Sequence, residues 1–167
     1  MKDYILLLPI IFIFHDMEEI IGFGWFFRRN PQMFIKHPHI TAAYRKFTNE
    51  GFAAAVYEEF IPFFGLSLLA YYFPGRVLYG IWFGMLLCLT GHFVAHIAIC
   101  IYVGKFIPSL ITSIICLPLS LLIVIRTFGL IAFDTLTVIS AALTVPAMML
   151  NMKLAHWLMS ALDKRSA

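Results

Sequence analysis

The sequence predicts an all-α fold, a polytopic membrane protein built as a five-helix transmembrane bundle. Three observations carry that expectation. Of the 167 residues, 62% are hydrophobic and 13% charged, whereas soluble domains hold about 45–50% apolar and about 25% charged residues. The apolar runs are continuous rather than alternating, so they read as helices and not as barrel strands. Five of them reach the length that a bilayer core demands, about 20 residues.

The first span covers about 4–27. Where a signal peptide would carry small residues for cleavage, it has His15-Asp16-Met17-Glu18-Glu19, so it reads as an uncleaved helix. Arg28-Arg29-Asn30-Pro31 ends it. A basic loop over 28–50 follows, with Arg28, Arg29, Lys36, Arg45 and Lys46. Its second half, Ile40 to Glu50, reads as a helix along the interface or running straight into the next span. The second span, about 51–73, closes at Pro74-Gly75-Arg76, and the third, about 77–103, at Gly104-Lys105. Arg126 alone divides the fourth span, about 107–125, from the fifth, about 128–150. All of it, 1–167, forms a single transmembrane domain. Gly80 and Gly84 in the third span form a Gly-x-x-x-Gly that permits close helix approach, read as packing within the bundle. Trp25, Tyr44 and Trp157 read as headgroup-level anchors.

Charge sets the expected orientation. With five spans, Lys2, Arg76 and Arg126 share one side and the other nine Lys and Arg share the opposite side. The basic side is expected in the cytoplasm, which puts the N-terminus out and the C-terminus in. The expected residence is the plasma (inner) membrane, although no signal in the sequence separates a bacterial membrane from an organellar one. A net charge of +3, scattered along the chain, argues against nucleic acid as a partner. Cys88, Cys100 and Cys116 lie in apolar runs, against a disulfide framework. Membrane lipid is the expected partner; the sequence is silent on oligomeric state.

The first three spans contain eight ionisable groups: His15, Asp16, Glu18, Glu19, Glu58, Glu59, His92 and His96. Five acids exposed to lipid would cost roughly 12–17 kcal/mol, so they must face the bundle interior. No Lys or Arg lies mid-span to pair with them. What remains is a bound cation, shared protons or water. His15, Glu18 and Glu19 share a helix face, as do His92 and His96 at i, i+4, a spacing that lets two imidazoles clamp one metal. Asp16 lies about 100° away from that face. Glu19, Glu59 and His96 also fall at one depth, about 10–12 Å from the expected cytoplasmic ends of their helices. Histidine with carboxylate from several helices suits Zn, Mn or Fe. The alternatives are proton-sharing carboxylates in a transporter and a purely structural polar network.

The same residues resemble the HXXEE family of membrane proteins. The likeness rests on His15-Asp16-Met17-Glu18-Glu19, on Glu58-Glu59, on Gly91-His92-Phe93-Val94-Ala95-His96, and on Tyr102 to Thr112 followed by Pro118. In the last stretch Ser109 stands where glycine would be typical of the family. The family has no established activity, so the resemblance implies the fold and the site rather than a reaction.

The expected function is a metal-dependent membrane enzyme acting on a lipid-like substrate near the cytoplasmic leaflet, as a hydrolase or a di-iron oxidase. A divalent metal, Fe or Zn, is expected at His15, Glu19, Glu58, His92 and His96, with Glu18 and Glu59 as the catalytic carboxylates. A small proton- or metal-ion transporter and a non-catalytic scaffold are the alternatives. Loop and tail histidines, His156 among them, are expected to face solvent.

Overall fold

The computed structural model describes residues 1–45 and 47–163, and among these it is entirely helical. A short α1 (Lys2–Ile5) leads through Leu6 into α2 (Leu7–Arg29). The connection that follows holds the one-turn α3 (Met33–Lys36) and a 3-10 turn (Ala42–Tyr44). Four long helices complete the chain: α4 (Asn49–Tyr72), α5 (Arg76–Val103), α6 (Leu110–Phe128) and α7 (Thr135–Asp163).

The last four are long and apolar enough to cross a membrane. The expected five reduce to four by this measure, because α2 gathers Asp16, Glu18 and Glu19 in its middle. The helix itself is there, 23 residues long, with its Ile11, Phe12, Phe23 and Phe26 in the core. Lys46, Lys164 and Arg165, which enter the count of basic residues, lie outside the described residues.

Local chemistry explains most boundaries. Thr48 caps α4 by accepting from Gly51 N at 3.0 Å, so the segment before it is not the helix expected over Ile40 to Glu50. Gly104 ends α5 at φ 67°, a left-handed conformation that glycine adopts without penalty. The fifth run is displaced from its expected 128–150. Residues 129–134 form a connection, and α7 starts where Asp134 Oδ1 accepts from Thr137 N and Thr137 Oγ1, both at 2.9 Å. Asp134 pairs with Arg76 at 2.6 Å, which joins the start of α7 to the start of α5. At the other end of α5, Lys105 Nζ donates to Asn30 Oδ1 at 3.0 Å.

α5 and α7 pack closely along the glycine pair. A Cβ added at Gly80 would sit 2.5 Å from Thr137 O, and one at Gly84 would sit 2.7 Å from Ala141 O. The Gly-x-x-x-Gly is thus a seam inside the bundle. Trp25 and Trp157 are exposed, as membrane anchors are, but Tyr44 is not. It packs against Phe23, Phe27 and Phe52, because the connection folds back over the ends of α2 and α4.

Candidate metal centre

Four side chains from two helices converge in the bundle. α2 supplies His15 and Glu19, one turn apart, and α5 supplies His92 and His96, also one turn apart. One ligand atom from each lies within 4.8 Å of all the others. His96 Nε2 is 3.1 Å from Glu19 Oε1 and 2.8 Å from His92 Nε2, while His15 Nε2 is 3.9 Å from Glu19 Oε1. His15 is fully buried and Glu19 3% exposed. Among the described residues, neither His15 Nε2 nor Glu19 Oε1 has a hydrogen-bond partner. Buried polar atoms are nearly always satisfied, and a cation bound between these two would satisfy both.

The start of α6 sets the orientation of two of these imidazoles. Glu18 Oε2 accepts from Thr112 N at 2.8 Å and from Thr112 Oγ1 at 2.6 Å. Having given its proton to Glu18, the Thr112 hydroxyl accepts from His15 Nδ1, 2.9 Å away. The His15 proton therefore sits on Nδ1, and the Nε2 lone pair points to the cluster. Ser109 Oγ stands 2.9 Å from His96 Nδ1 and holds the angle of that ring. Such outer partners, which fix tautomer and ring angle, accompany histidine ligands in metal sites. Neither hydroxyl belonged to the expected ligand set. The signal for Thr112 was its place in the fourth span near the depth of the acids.

The remaining candidates lie apart from this group. Glu18 faces Thr112, and Glu58 Oε2 accepts from Asn151 Nδ2 on α7 at 2.8 Å. Glu59 lines a cavity beside His92, together with Asp16. Asp16 is buried although it lies off the His15 face, and His156 lines the adjoining space with Glu19 and His96. Asp16 was expected inside the bundle but left out of the site, and His156 was expected to face solvent. α7 runs on to Asp163, well beyond the expected end at about 150, and so carries His156 inward instead of leaving it in a tail.

Among the described residues, no Lys or Arg pairs with any of these acids; the only such ion pair joins Arg76 and Asp134. The donor set is therefore three imidazoles and one carboxylate, with no Lys or Arg paired to it among the described residues. It fits a divalent transition metal in a four-ligand site, with Glu19 offsetting one of the ion's two positive charges. A family model described as a protein of unknown function with HXXEE motif matches residues 6–123. No curated protein and no solved structure matches the chain.

Proposed function

The chain belongs to the HXXEE family, and we propose that it is a metal-dependent membrane enzyme acting on a lipid-like substrate, its metal held by His15, Glu19, His92 and His96. One observation carries the reading: four ligand atoms lie within 4.8 Å of one another, and two of them are buried without a hydrogen-bond partner among the described residues. Fe or Zn suits the donors, and a single ion suits their number. A divalent cation there supplies Lewis acidity for polarising a substrate oxygen or activating water.

The roles of the carboxylates then separate. Glu18 orients His15 through Thr112, and Glu58 is engaged by Asn151. Glu59, facing the cavity beside His92, is the carboxylate placed to move a proton. In this reading α2 is a fifth span, tolerated in the bilayer because its acids turn toward α4, α5 and α6. The excess of Lys and Arg at 28–50 and beyond supports an outward N-terminus and a site level on the cytoplasmic side.

Elemental analysis of protein purified from its native membrane tests the assignment. The expected result is near one equivalent of Fe or Zn, lost in His92→Ala and His96→Ala and retained in Glu58→Gln. Absence of a transition metal, together with ion flux in liposomes, overturns it in favour of a transporter. Metal-free protein without flux, in which Glu18→Gln and Glu59→Gln alter only thermal stability, overturns it in favour of a scaffold.

A further inference from the structure

Beside the four-ligand group lies a cavity of about 520 Å³ between α2, α4, α5 and α7, within the range of about 300–1,000 Å³ typical of ligand sites. Its walls are largely carbon and sulfur, with Phe12 and Phe63 stacked at 4.4 Å on one side and Met148 and Met152 on another. The polar features of the wall are Asp16, Glu59 and His92, and no Lys or Arg lines it. Asp16 is 4% exposed, and among the described residues its Oδ2 has no hydrogen-bond partner. An adjoining space of about 160 Å³ shares Asp16, Glu59 and His92, so the cavity ends against the candidate metal ligands. Exposed Gly91 and Met149 mark its mouth on the outer faces of α5 and α7. That side of the bundle faces lipid in the membrane reading.

We propose that this cavity binds a single-chain amphiphile with a primary ammonium head, the head held by Asp16 and Glu59 and the chain lying along Phe12, Phe63 and the methionines. The proposal rests on the enzyme reading above and names its substrate class. Charge complementarity selects the head. Two carboxylates in an apolar pocket, one with an unpaired buried oxygen, are costly until a cation with several donors meets them. An ammonium brings one charge and three donors. An alcohol brings a single donor and no charge. A phosphate or carboxylate head would face like charge with no Lys or Arg to offset it. A second metal ion would find too few oxygen ligands, because the remaining wall is apolar. The lateral mouth admits the chain from the bilayer without carrying it through water.

The test is equilibrium binding of tritiated hexadecylamine to the full chain in phosphatidylcholine nanodiscs, with empty nanodiscs as blank. The same samples are assayed for metal, before and after chelation. Saturable binding at one equivalent is expected, competed by unlabelled amine and not by hexadecanol or hexadecyl phosphate. Asp16→Asn should weaken it at least ten-fold. Gly91→Leu should block it at the mouth; a Cβ added there meets nothing within 4 Å, so the fold is spared. Equal competition by hexadecanol overturns the ammonium assignment, as does binding unchanged in both variants. A second equivalent of metal that is lost in Asp16→Asn also overturns it, in favour of a second ion. Asp16 and Glu59 lie outside the four-ligand group, so binding should survive chelation. Loss of amine binding in metal-loaded protein thus refutes this inference alone, and amine binding by protein that never holds metal refutes the metal assignment alone.

Discussion

Ser109 is the position at which backbone and site make opposite demands. Its φ of 119° lies in the left-handed region, and it is the only non-glycine residue there among those described. Holding an L-residue in such a conformation costs about 1–2 kcal/mol. Its hydroxyl, on a fully buried residue, sits 2.9 Å from Nδ1 of the largely buried His96. Leaving a buried ring nitrogen unpaired costs about 1–3 kcal/mol. Ser109→Ala keeps the unfavourable backbone and loses the hydroxyl, so it should lose about 1–3 kcal/mol of stability. Ser109→Gly loses the same hydroxyl but relaxes the backbone, and should be more stable than Ser109→Ala by about 1–2 kcal/mol. Both should bind metal about 10–100-fold more weakly, because His96 loses the partner that aims it. Unfolding in mixed detergent micelles reads the first quantity, and competition with a chromogenic chelator reads the second. Equal stability of the two variants would refute the conformational argument. Undiminished metal affinity in either would refute the role of the hydroxyl.

Thr112→Val should lower metal affinity by about 10–100-fold, with Thr112→Ser restoring it, since only the hydroxyl links Glu18 to His15; equal affinity in the Val and Ser variants would remove that link. Gly84→Ala places a methyl 2.7 Å from Ala141 O, a backbone atom that cannot swing aside. It should cost about 1–3 kcal/mol in thermal unfolding, and an unchanged melting curve would deny the seam. Asp134 is held below the usual carboxylate range, first by hydrogen bonds from Thr137 and then by Arg76. With the folded value lowered, its stabilisation is complete above the unfolded value and drains away as pH falls through the folded one. Asp134→Asn should flatten that acid limb of stability against pH; superimposable limbs would contradict it.

Much of this arrangement was legible in the sequence, for physical reasons that also mark the limits. His15 with Glu19 and His92 with His96 could be paired because i, i+4 spacing on a helix is rigid geometry. Their meeting could be anticipated because mid-span ions without basic partners must find one another. The cost of burying charge put Asp16 inside the bundle, but the helix-face argument left it off the site. A single polar face implies a single interior side, but α2 has α4 on one flank and α6 on another, so a residue about 100° from His15 is still inside the bundle. The start of α7 was obscured by hydropathy. Leu130 to Phe133 extend an apolar run, and only the Asp134 cap interrupts it. The hydroxyls of Ser109 and Thr112 have no local pattern at all. Their roles arise from α6 meeting α2 and α5.

The bond between Glu18 and Thr112 N also settles a question of registry. Thr112 N is one of the first amides of α6, which have no carbonyl a turn earlier to bond. The Ser109 side chain, at the N-cap position, does not cap the helix, and its hydroxyl lies against His96 instead. The start of α6 is thus completed by a carboxylate that belongs to α2, some ninety residues earlier. Sliding α6 by one turn, about 5.4 Å, would strand the amide and the carboxylate together. A helix later in the chain therefore takes its register from one that comes before it. Assembly of the later helices acquires a vertical reference finer than the hydrophobicity of α6 alone would supply.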